Sequence, residues 1–86
     1  MTWNEIRTHY PHRWLLVEAL EAHSDRGKRI LDKLAVVDTF ADSREAMKKY
    51  AFFHRRAANR EFYVLHTDRD SLEITERQWL GIRGVQ

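Results

Sequence analysis

The sequence predicts an α+β fold: a short N-terminal helix, a β-hairpin, and an amphipathic helix packed on a small antiparallel sheet. Three observations carry this. A capped, amphipathic segment over 43–58 lies between two runs rich in β-formers, 29–40 and 61–67. The turn signal Ser24-Asp25-Arg26-Gly27 separates the apolar stretch before it from the one after it. Hydrophobic residues make up 43% of the chain and aromatics 12%, which is enough apolar surface to build a core. At 86 residues, folding buries only about 60–65% of the unfolded chain's surface. Residues 1–86 are therefore read as one small domain, with a tail that frays from about 81.

The elements follow in order. Thr2 and Glu5 form a capping box, each side chain answering the other residue's free backbone N–H. Trp3, Ile6 and Tyr10 then recur at helical spacing, and Pro11 ends the helix because the residue before a proline disfavours the α region. Residues 13–22 contain Leu, Ala and Glu, which favour helix. The segment is short and runs into the turn at 24–27, so it reads as the first strand of a hairpin with 29–40. In the second strand, Ile30, Leu34, Val36 and Phe40 alternate on one face, with Leu31, Ala35 and Val37 on the other. Asp42 and Glu45 form a second capping box before the helix 43–58, whose Ala46, Tyr50, Phe53 and Ala57 share a face that should lie on the sheet. Residues 61–67 read as a strand. Leu72 and Ile74 suggest a further short strand pairing back onto 61–67, with Asp70 and Glu73 as a competing helix cap. Trp79 is expected to anchor the tail. The expected core is Trp14, Leu16, Leu34, Val36, Tyr50, Phe53, Phe62 and Val64.

Composition excludes several classes. There is no cysteine, so neither a disulfide framework nor a thiolate metal site exists. The longest apolar runs, 14–17 and 34–37, fall far short of the roughly 20 residues that cross a bilayer. The first ten residues lack the pattern of a signal peptide. The expectation is a cytoplasmic protein with no membrane contact. Net charge is +2, too mild by itself to argue for nucleic acid.

Charge distribution says more. Arg44, Lys48, Lys49, Arg55, Arg56 and Arg60 stand against Glu45 alone between 44 and 60, a local balance of +5. Helical geometry turns Phe52 away from the buried stripe and surrounds it with Arg44, Lys48, Lys49, Arg55 and Arg56. A ring within a basic face can anchor an acidic protein partner, because aromatics and arginine dominate binding hot spots. It can also stack on a base while cations meet phosphate. The bland alternative is a solvated helix face with Phe52 packed under a neighbouring loop.

The histidines are His9, His12, His23, His54 and His66. His9 and His12 make H-x-x-H, but Pro11 lies between them and no cysteine is present to complete a zinc site. Arg7 and His12 have a spacing used by one group of helical ribonucleases, again interrupted by Pro11. His54 and His66 are the remaining candidate bases. No nucleophile motif or glycine-rich phosphate loop accompanies them. Glu18 and Asp32 interrupt apolar strand faces and read as solvated or edge-guarding charges rather than a catalytic pair. No catalytic residue, metal site or cofactor is expected.

The segments 13–17, 28–38 and 61–67, with the closing Trp79-Leu80-Gly81-Ile82-Arg83-Gly84, resemble short bacterial proteins of unknown function from Bacillus-like and cyanobacterial genomes. The resemblance implies a bacterial cytoplasmic setting and a hairpin–helix–strand layout, and supplies no catalytic residues. Both faces of 29–40 are apolar, while one helix covers one face. The N-terminal helix, the Trp79 tail or another chain must cover the other. The sequence thus favours a non-enzymatic module that binds a protein or a second copy of itself. A nucleic-acid-binding protein using helix 43–58 stands second, and a small enzyme with a histidine base third.

Overall fold

The computed structural model describes residues 1–72, 74 and 75. The helix α1 (Trp3–His9) leads into a hairpin of β1 (Trp14–Asp25) and β2 (Lys28–Phe40). The helix α2 (Ser43–Arg56) follows, then β3 (Phe62–His66) and the two-residue β4 (Ile74–Thr75). The sheet has the order β3-β1-β2-β4, with each pairing antiparallel. The expected α+β fold is present, with the expected element order.

Local chemistry accounts for the element ends. The Thr2–Glu5 capping box forms in both directions. Tyr10 caps the far end of α1 one residue before Pro11. In the hairpin turn, Arg26 and Gly27 both adopt positive φ, 52° and 78°. That is the pattern of a two-residue turn whose twist matches the flanking strands. At α2, the Asp42 carboxylate accepts from the Glu45 N–H at 2.9 Å. His54, Arg55 and Arg56 fill the last turn, where the helix dipole favours cations.

Residues 14–25 override their helical propensity because β1 is the central partner of the sheet, bonded to β2 on one side and β3 on the other. Ladder bonds on both edges outweigh a propensity difference of a few tenths of a kcal/mol per residue. The β1–β2 register shifts three times, leaving Val37, Leu20 and Asp32 without a direct partner. Each bulge breaks the period of two. As a result Leu31, Leu34 and Val36 pack on one side of the sheet, while Val37 and Phe40 pack on the other. Strict alternation from the sequence had put Phe40 with Leu34 and Val36.

The sheet is covered on both faces. On one face α1 lays Trp3 and Ile6 against Leu15, Val17, Leu34, Tyr63, Leu65 and Ile74. On the other, α2 lays Tyr50 on Leu16 and Phe62, flanked by Val37, Phe40, Phe53, Ala57 and Val64. The face that the sequence left in need of cover is therefore taken by the N-terminal helix, and a second chain is not required for it. Of the expected core, Leu16, Leu34, Tyr50 and Phe62 are buried, whereas Trp14, Val36, Phe53 and Val64 are half-buried. The α1-side residues Leu15, Val17, Tyr63 and Leu65 were not in the expected core, although Leu34 and Val36, which were, pack on the same side.

The short strand at 74–75 pairs with Lys28 and Arg29 of β2, not with β3. The chain after β3 is drawn beneath α1. The Arg7 Nε donates to Thr67 O at 2.9 Å, and the Trp3 indole donates to Arg69 O at 2.9 Å. Ile74 then joins the α1-side core. The expected Trp79 anchor, the fraying from 81 and the competing Glu73 cap lie outside the described residues.

Candidate functional site

The outward side of α2 carries the sequence-predicted residues. Ala46 and Tyr50 are buried and Phe53 and Ala57 half-buried, which fixes the inward direction of the helix. At 100° per residue, Arg44, Lys48 and Arg55 fall almost directly opposite. All three are exposed, as are Lys49 and Arg56. Phe52 falls on the outward side, about 130° from the core direction, yet it is half-buried rather than exposed. The reason is local. Lys49 and Arg56, three residues before and four after, close over its ring. The Arg56 guanidinium lies 4.4 Å and the Lys49 Nζ 5.5 Å from the ring centroid. Phe53 touches the same ring from the core side at 5.4 Å.

The charges of this face are poorly compensated. The Lys48 ammonium pairs with Glu45 at 3.5 Å. Among the described residues, Arg44, Lys49, Arg55 and Arg56 have no carboxylate within ion-pair distance. Met47, at 48% exposure, adds an apolar contact beside them. Arg60 is the exception in the basic segment. Its guanidinium grips Glu18 with two hydrogen bonds, the Nε contact being 2.6 Å, and lies over the Phe62 ring. Glu18 holds it more firmly protonated than an ordinary arginine. Glu18 is thus an ion-pair partner at the sheet surface, not a solvated charge.

Several other titratable groups are engaged locally. Asp32, at a bulge, is bonded to His23 at 2.6 Å. It does not meet Glu18, which pairs across the ladder with Ala35. His54 stacks on Tyr50 with ring centroids 5.5 Å apart. His12 contacts Asp68 at 2.8 Å, and the His66 Nδ1 accepts from the Asp68 N–H at 3.1 Å. Arg7 reaches Asp70 as well as Thr67. Arg7 and His12 therefore both clasp the segment that follows β3, which gives their spacing a structural use. Among the described residues no group of three His or carboxylate side chains could hold a metal ion.

One cluster escaped sequence reasoning. Arg29 of β2 makes two bonds, 2.9 and 2.7 Å, to Glu61, and Tyr63 donates to the same carboxylate. The partnership raises the Arg29 pKa further. These residues lie 32 apart in sequence, and no local pattern signals such a pair. The Arg29–Glu61 pair bridges β2 and the start of β3 across β1, and so braces the sheet. Among the described residues no helix is long and apolar enough to cross a membrane. No family model, curated protein or solved structure matches the chain.

Proposed function

We propose that this chain is a non-enzymatic protein-binding module that presents the outward face of α2 to an acidic partner protein. The observation that carries the reading is the set of uncompensated cations, Arg44, Lys49, Arg55 and Arg56, gathered with Lys48 on one face of a 14-residue helix. Like charges this close raise the local potential and favour an acidic surface over solvent. Phe52 and Met47 supply apolar contact at the flanks. A cytoplasmic, bacterial setting fits the lack of cysteine and the resemblance carried by 13–17, 28–38 and 61–67.

The nucleic-acid reading is weaker for a specific reason. The Phe52 ring is already capped by Arg56 and Lys49. A base could stack on it only after displacing them, so the expected stacking platform is occupied. Among the described histidines, His12, His23 and His66 contact aspartates and His54 stacks on Tyr50, so none of these contacts favours an enzymatic reading.

The test is a titration of the protein with a fluorescent Asp/Glu-rich peptide and, separately, with a single-stranded oligonucleotide. The reading expects the peptide to bind and the triple variant Lys48→Glu, Arg55→Glu, Arg56→Glu to lose that binding while melting cooperatively. Equal peptide affinity in wild type and folded variant contradicts it. Tighter oligonucleotide binding that falls by orders of magnitude between about 50 and 200 mM salt moves the assignment to nucleic acid.

A further inference from the structure

The outward side of α2 is ordered along the helix axis as well as charged. At about 100° per residue, Arg44, Lys48, Ala51 and Arg55 fall within about 60° of one another, at offsets i, i+4, i+7 and i+11. All four are exposed. They form one row parallel to the axis, about 16–17 Å long at about 1.5 Å per residue. Met47 and Phe52 lie about 70° to either side of the row, Met47 exposed and Phe52 half-buried. Arg44 and Arg55, at the two ends of the row, have no carboxylate within ion-pair distance among the described residues. Lys48 pairs with Glu45 at 3.5 Å. Ala51 has no side chain beyond Cβ, so another backbone can come close to α2 between the cations.

We propose that the acidic partner presents an α-helix, laid along this row and closest to α2 at Ala51, an inference that rests on the acidic-partner reading of α2. Charge complementarity sets the chemistry of the partner: carboxylates facing Arg44, Lys48 and Arg55. Axial spacing sets its conformation. A helix presents side chains at i, i+4, i+7 and i+11 along one line with the same rise as α2. Its carboxylates therefore keep step with the cations. The pattern reads the same in both directions, so parallel and antiparallel helices both fit. An extended strand does not keep step. The distance from Arg44 to Arg55 corresponds to about five residues of strand at about 3.3 Å each, and an odd offset turns the last side chain to the opposite face. Helix axes approach to about 8 Å, the near end of their usual range, only where the contacting side chains are small. Ala51 is such a place, and Met47 and Phe52 flank it with apolar surface for the partner helix to cover.

Two hydrocarbon-stapled helical peptides of equal composition, net charge and helicity test this by fluorescence anisotropy. In one, glutamates stand in line at i, i+4, i+7 and i+11. In the other, the same glutamates are spread around the helix. The in-line peptide should bind at least about fivefold more tightly, the effect of about two exposed ion pairs. The variant Ala51→Arg separates packing from charge. Its site is exposed and arginine is close to alanine in helix propensity, so the thermal melt should not move. The substitution adds a cation to the row. A contact made by charge alone would tighten, whereas a helix packed on Ala51 is held off, and the overpacking should weaken in-line binding at least about threefold. Equal affinities for the two peptides, or tighter binding by Ala51→Arg, overturn the helical partner and leave the acidic-partner reading standing. Absence of saturable binding by either peptide removes both.

Discussion

Phe53 packs on Phe62 with ring centroids 5.7 Å apart, whereas its neighbour Phe52 lies beneath Lys49 and Arg56. Replacing Phe53 by alanine opens a cavity between helix and sheet. Because the residue is half-buried, the loss should be about 2–3 kcal/mol, below the range for a fully enclosed ring. Phe52→Ala removes two cation–π contacts at the surface and should cost about 1 kcal/mol. Urea denaturation of both variants checks the order, and a larger loss at Phe52 would mean that the inward direction of α2 is wrong. Glu5 supports a pH prediction. The Thr2 N–H donates to its carboxylate at 2.9 Å and holds its pKa below the ordinary 4.5. With the folded value depressed, the capping contribution is complete above the unfolded value and is lost as pH falls through the lowered one. The Thr2 amide resonance should titrate with a midpoint below 4.5, and a midpoint at or above it removes the capping box from the account. At this scale the sequence was most informative where a contact is local. Thr2–Glu5 could be read directly, and so could the N-cap role of Asp42. Glu18–Arg60 and Arg29–Glu61 could not, because their partners meet only after the sheet has formed.

Among the elements, the hairpin turn and α1 make the sharpest predictions. A Cβ at Gly27 would meet nothing within 4 Å, so Gly27→Ala isolates the cost of its φ of 78°. That cost should be about 1–2 kcal/mol. Arg26→Asn, better suited to positive φ, should stabilise by a few tenths of a kcal/mol. Thermal melts of the two variants should move in opposite directions. Ile6 is fully buried between α1 and the sheet, so Ile6→Ala should cost about 2–5 kcal/mol. A loss under about 0.5 kcal/mol, as at an ordinary surface site, would show that α1 does not seal that face. The existence and order of the elements were legible because caps, turns and β-rich runs are local signals. Their faces were less so. Nothing in Leu20, Asp32 or Val37 announces a bulge, and each bulge moved the residues beyond it to the other side of the sheet. The partner of β4 was also hidden. It depends on α1 gripping 67–70 through Arg7 and Trp3, a contact across 60 residues or more.

At the level of the whole molecule, a thin sheet with one helix on each face spends most of its apolar residues on itself, and leaves Leu20, Ile30 and Met47 exposed. Among the described residues, what it offers outward is the charge on α2. The basic face could be seen in the sequence as a local excess of cations. The capping of Phe52 could not, since it depends on the conformations of the Lys49 and Arg56 side chains. The account centres on the outward face of α2, and amide chemical-shift mapping tests it most directly. When an Asp/Glu-rich peptide is titrated into isotope-labelled protein at low salt, the amides of Arg44, Lys48, Lys49, Phe52, Arg55 and Arg56 should shift together and saturably. Those of α1 should stay in place. Shifts confined to other parts of the molecule, or no saturable shift at any peptide concentration, would contradict the account.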